Sequence, residues 1–101
     1  MILHTVNKSP YERTNLDSCL RVAKNGCGIL LIEDGVIAAL EGGVSGDALK
    51  AAQPGKSIYV LGPDLDARGL SDRPLIDGVK VVDYGGFVDL VAEHDTVQSW
   101  L

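Results

Sequence analysis

Gly28-Ile29-Leu30-Leu31-Ile32 is an apolar run without polar alternation. Such a run is the pattern of a central strand in a parallel sheet, covered on both faces. Glu33-Asp34-Gly35 breaks it. Upstream, Asn25-Gly26 offers the left-handed residue that ends a helix. Before it, Leu16, Cys19, Leu20 and Ala23 recur at helical spacing and form one apolar stripe. Ser9-Pro10-Tyr11-Glu12 supplies a capping oxygen, a proline suited to the first helical position and a carboxylate three residues past the cap, so a helix is expected to start there. The short β-branched stretch from Ile2 to Val6, stopped by the turn former Asn7, reads as the first strand.

Downstream, Val36 to Leu40 reads as a short helix. Glu41 to Ser45 and Gly46 form a loop, because closely spaced glycines oppose a helix. Asp47 to Gln53 is expected to add a helical turn or two before Pro54-Gly55. Ser57 to Leu61 is the third strand, Asp64 to Leu70 a short helix ended near Gly69, and Val79 to Val82 the fourth strand. Gly86 to Glu93 reads as the last helix, and Thr96 to Leu101 as a strand or an extended arm. Strands alternating with helices build an α/β fold with right-handed crossovers. The expectation is a single-domain three-layer sandwich, a mostly parallel four- or five-stranded sheet with helices on both faces, of flavodoxin/Rossmann-like type.

The 101 residues fit one domain, and 46% apolar content is enough for a sheet buried on two sides. A domain this small also gains from partner subunits. A net charge of −5 with no Lys/Arg cluster opposes binding to a phosphate backbone, so direct contact with nucleic acid is not expected. No apolar stretch reaches the roughly 18 residues of a membrane span, and no basic segment with an apolar run opens the chain, so the expected place is the cytoplasm. Two cysteines, Cys19 and Cys27, are too few for a secreted disulfide scaffold and lack paired C-x-x-C spacing; reduced thiols are expected.

Ligands of open parallel sheets gather beyond the carboxyl ends of the strands. Those ends carry Asp34, Asp64 and Asp83, which can serve a phosphoacceptor or cation site but also suit helix caps and turns. Gly26-Cys27-Gly28 precedes a strand, whereas a dinucleotide fingerprint follows one, and no phosphate-binding loop motif is present. No cofactor and no metal is therefore expected. Of the thiols, Cys27 opens a strand with no adjacent base and reads as structural. Cys19 sits on the apolar stripe, with Arg21 and Lys24 near in sequence. His4 and His94 have no partner spacing for a metal or a triad. Trp100-Leu101 is an apolar terminus that must dock on its own core or on a partner, which makes the pair interface candidates.

Taken together, the chain resembles the DsrH/TusB family of sulfur-relay proteins. The resemblance is carried by Leu3-His4-Thr5, Ser9-Pro10, Leu30 to Val36, Ala38-Ala39, Tyr59-Val60-Leu61, Asp64-Leu65, Ala67 to Leu70, Asp83-Tyr84, Phe87 to Leu90 and Trp100-Leu101, in that order. It looks closest to the DsrH branch of sulfur-oxidising bacteria, through Thr5 to Pro10, Asp95 to Gln98, and Cys19 lying where that branch carries a cysteine. The resemblance implies a DsrEFH-like heterohexamer with DsrE/TusD-like and DsrF/TusC-like sister subunits. That assembly passes persulfide sulfur to a DsrC/TusE-like carrier, in sulfur oxidation or in 2-thiouridine formation at the tRNA wobble position. In that family the main acceptor cysteine belongs to the DsrE/TusD subunit, after its third strand. The matching stretch here, Gly62-Pro63-Asp64, has none. The resemblance thus implies an accessory subunit rather than the principal acceptor, with Cys19 as candidate accessory sulfur carrier. A different class of function is a stand-alone flavodoxin-like or receiver-like switch using Asp34 or Asp64.

Overall fold

The computed structural model describes residues 1–101. Five strands, β1 (Ile2–Val6), β2 (Gly28–Leu31), β3 (Ser57–Leu61), β4 (Lys80–Val82) and β5 (Thr96–Trp100), form one sheet in the order β4-β3-β2-β1-β5. Every pair is parallel. The apolar run at Gly28 is indeed central, with Leu30 hydrogen-bonded in register between Thr5 and Tyr59. The C-terminal tail is a strand: β5 lies along the free edge of β1 and pairs Val6 with Trp100.

The strand order decides where the helices lie. From β1 to β4 the chain steps one way across the sheet, so right-handed crossovers put every connection on the same face. These are α1 (Asn15–Val22), a 3-10 helix at Glu33–Ala39, α2 (Gly46–Ala52) and α3 (Gly62–Ala67). Beneath them Val6, Ile29, Leu31, Ile58 and Val60 pack with Leu16, Cys19, Val36, Leu49 and Leu65 in the larger core cluster. The step from β4 back to β5 runs the other way, and α4 (Tyr84–Glu93) therefore crosses the opposite face. There a small cluster of Leu3, Leu30 and Leu90 is flanked by Ile32, Tyr59, Val82 and Phe87. One face thus carries several helical segments and the other a single helix.

Several boundaries differ from the sequence expectation. The first helix starts at Asn15 rather than Ser9. The Ser9 hydroxyl accepts from the Tyr11 amide and the Ser9 carbonyl from Glu12 and Arg13, so this residue closes a turn instead of capping a helix. The same helix ends at Val22, and Gly26, at φ 93°, belongs to the later turn into β2. The helix expected at Val36 begins at Glu33 as a 3-10 helix. Pro63 in the first turn of α3 lets that helix begin at Gly62, directly after β3, and it stops at Ala67. The last helix starts at Tyr84 because Asp83 caps it, its carboxylate accepting from the Gly86 amide at 2.8 Å.

Gly35 fixes the start of the 3-10 helix. The Ile32 amide donates to the Val6 carbonyl at 3.0 Å, and a Cβ at position 35 would collide with that same oxygen. Only glycine allows so close an approach between the segment after β2 and the end of β1.

Candidate functional site

The carboxyl ends of β2 and β3 are closed by a polar network rather than left open. Arg68 on the exit of α3 forms an ion pair with Asp34 at 2.9 Å and donates to the Asp64 carbonyl at 3.2 Å. The Asp64 carboxylate accepts from the Glu33 amide at 2.6 Å, holding a residue whose φ is 51°. Asp34 and Asp64 thus serve the turn after β2, and Asp83 serves the cap of α4. A groove of about 630 Å³ lies beside this network, lined by Gly62, Pro63, Asp66, Val81 and Asp83 among others. It contains no thiol. No set of three or more His, Cys, Asp or Glu side chains converges to hold a metal ion. Asn7 Oδ1, just after β1, and Asn15 Nδ2, at the start of α1, are buried without partners.

The two cysteines are both free and buried, in different surroundings. Cys19 on α1 is 0% exposed and faces the larger core beside Leu16. Its thiol is pushed up to about 12, by burial first and by the neighbouring Cys27 next, with Lys56 pulling the other way. A thiol held there is protonated at neutral pH and is a poor nucleophile. Cys27, just before β2, lines a groove of about 400 Å³ between α1 and β5, together with His4, Val22, Lys24, Gln98 and Trp100.

His4 shapes that groove. It is 3% exposed, and burial lowers its pKa from the ordinary value. The Trp100 indole N–H donates to His4 Nδ1 at 3.1 Å, with the ring planes tilted by 41°. An indole can only donate, so Nδ1 accepts and the ring proton sits on Nε2. His94, by contrast, stays structural: its Nδ1 lies 2.7 Å from the Leu90 carbonyl at the end of α4, and its ring covers Gly28.

The terminal pair expected to dock as a unit is divided. Trp100 is partly buried against the larger core of its own chain, whereas Leu101 is 83% exposed. A second apolar surface escaped the sequence reading. Val88 and Val91 project from α4 at 67% and 40% exposure, beside Phe87 and Ala92, with Tyr84 exposed one turn earlier. Its signal was available: from Tyr84 to Ala92 apolar residues occupy all sides of the helix, and a helix packed on only one side cannot bury them all.

The sheet, the thiols and the apolar helix face define a small all-parallel α/β protein with no nucleotide loop and no metal cluster. A family model described as DsrH like protein matches residues 8–97. Protein TusB of Pectobacterium parmentieri is 40% identical over 99 residues, covering 98% of this chain and 100% of that protein. Protein TusB of Photorhabdus laumondii is 37% identical with the same coverage. The crystal structure of the ychN protein from E. coli superposes with a TM-score of 0.80 at 25% identity, covering 97% of each chain. The chain belongs to the DsrH/TusB family.

Proposed function

We propose that this chain is an accessory subunit of a hetero-oligomeric cytoplasmic sulfur-relay complex that hands persulfide sulfur to a DsrC/TusE-like carrier. Family membership over residues 8–97 is the observation that carries this reading. The apolar outer face of α4 supports it, since Val88, Val91 and Tyr84 would be an unusual cost on a free-standing monomer. Sister subunits of DsrE/TusD and DsrF/TusC type would cover that face, with Leu101 adding an apolar contact at the end of β5. The groove at Gly62 and Pro63 lacks a cysteine, so the principal sulfur acceptor belongs to a sister subunit in this reading. Cys19 serves as an accessory carrier only if assembly opens the packing of α1, because its thiol is closed off in the single chain.

Two destinations for the sulfur fit the family. The relatives named TusB favour tRNA wobble-uridine thiolation, and the segment Thr5 to Pro10 with Cys19 favours sulfur oxidation. The switch reading is disfavoured by the ion pair that already occupies Asp34 and the backbone bond that occupies Asp64. The test is reconstitution. Sister subunits and carrier are mixed with a persulfide donor, with and without this chain, and persulfide on the carrier is quantified by mass spectrometry. Carrier loading that depends on this chain supports the role; equal loading in its absence contradicts it.

A further inference from the structure

The sheet has two edges, and they are finished differently. β4 at one edge is three residues long and begins with Lys80. Short strands and lysines are ordinary ways of keeping an edge from pairing with another chain. β5 at the other edge is five residues, Thr96–Trp100, with no charge and no proline, and its one-to-one register against β1 leaves no bulge. Thr96 to Ser99 are all exposed, and no strand pairs with the outer side of β5. A row of backbone donors and acceptors is therefore open to another strand.

The side chains decide which strand fits. They alternate between the two sheet faces. Gln98 and Trp100 line the groove on the α1 face, with Thr96 on the same side. Ser99 turns to the α4 face, where its hydroxyl accepts from Thr5, with Val97 beside it. Laid antiparallel on itself about Gln98, β5 sets Thr96 against Trp100 of the second copy, Val97 against Ser99, and Gln98 against Gln98. An aromatic then meets a β-branched residue twice, and no like charges face each other. That neutrality counts in a chain of net charge −5, whose copies repel one another at long range. The hydrogen bond to His4 also fixes the Trp100 indole before any pairing, so little freedom is lost on contact.

We propose that β5 is the docking edge for a second copy of this chain, the two β5 strands pairing antiparallel about a two-fold axis at Gln98 so that the two sheets run on as one. This stands apart from the sulfur-relay reading. It uses neither thiol and does not use the outer face of α4.

The experiment is sedimentation of the full chain from micromolar to millimolar concentration, with circular dichroism to confirm the fold of each variant. Wild type should pass from monomer to dimer. Gln98→Lys and Gln98→Glu, each at an exposed side chain, should fold. Each should weaken the dimer several-fold, since like charges then stand directly opposite at the two-fold axis. Mixed in equal amounts, the two variants should pair at least as tightly as wild type, because Lys then faces Glu. Val88→Glu on α4 should leave the dimer unchanged. If the chain alone does not fold, native mass spectrometry of the co-expressed assembly replaces sedimentation, and Gln98→Lys should lower the copies of this chain in each complex from two to one. A wild-type chain that stays monomeric, single variants that dimerise as wild type does, or a mixture that fails to recover each overturns the proposal, as does an unchanged copy number in the assembly. A monomeric wild type is what an edge reserved for a strand of another protein would give, and loss of the dimer in Val88→Glu would move the contact to α4. A chain that dimerises through β5 but never joins sister subunits contradicts only the relay reading, and one that joins them without pairing through β5 contradicts only this inference.

Discussion

The indole of Trp100, the last residue of β5, donates a hydrogen bond to His4 Nδ1 in β1 across 3.1 Å. This bond ties the C-terminal edge strand to the sheet and sets the tautomer of a buried histidine. Trp100→Phe keeps most of the apolar contact and removes the donor, so it should cost about 1 kcal/mol. Trp100→Ala should cost about 3 kcal/mol, the low end for a large aromatic, since Trp100 is only partly buried. Deleting Leu101 alone should leave stability unchanged. Urea midpoints of the three variants check this. Equal losses for all three would mean that the two terminal residues act as one unit.

Stability should depend on pH through His4. Burial holds its folded-state pKa below the ordinary 6.5. As pH drops through about 6.5 the unfolded chain takes up a proton that the folded chain resists, and stability is lost over that range and below. Above it the contribution is fully present. Protonation would also forbid the Trp100 bond, since Nδ1 could no longer accept. His4→Gln should flatten the slope of melting temperature against pH between about 5 and 7. An unchanged slope would place the titration elsewhere.

The turn after β2 makes a third expectation. Asp64→Ala frees the Glu33 amide, and Arg68→Met removes the partner of Asp34. Asp64→Ala should cost about 1–2 kcal/mol, in line with losing a charge-assisted hydrogen bond at a strained residue. Arg68→Met should cost less, because its partner is half exposed and screened by solvent. Adding a phosphate analogue such as beryllium fluoride should change neither chemical shifts nor melting temperature. A saturable response that Asp64→Ala removes would revive the switch reading.

Thiol labelling offers a fourth check on the core. Cys19 should react slowly with an alkylating reagent at neutral pH in the native chain and at an ordinary rate after unfolding. Rapid native labelling of Cys19 would show that α1 opens readily and that its burial is not the resting state.

The sheet was legible in the sequence because Gly28 to Leu31 is a short unbroken apolar run and Ser57 to Leu61 a short stretch rich in β-branched and aromatic residues, each bounded by turn formers, and the structure keeps both as strands. The helix at Ser9 was misread because a serine hydroxyl three residues before a carboxylate serves a turn as well as a cap. The choice is made by where the chain next meets the sheet, which local pattern does not record. The strand order, and with it the one-helix face under α4, depends on β5 returning to the far edge of β1. Nothing near Thr96 announces that. The importance of His4 was likewise invisible, since its partner lies 96 positions away.

If the chain is one subunit among several, with α4 turned toward its neighbours, it should not remain alone in the presence of its sister subunits. Co-expression with DsrE/TusD-like and DsrF/TusC-like sister subunits, followed by native mass spectrometry, measures this directly. The wild-type chain should be found in a stable complex with both. The double variant Val88→Glu, Val91→Glu should fold, because both side chains point to solvent, but should leave the complex. A wild-type chain that remains alone beside its sister subunits would contradict the central claim, and a double variant that assembles as well as wild type would remove α4 from the interface.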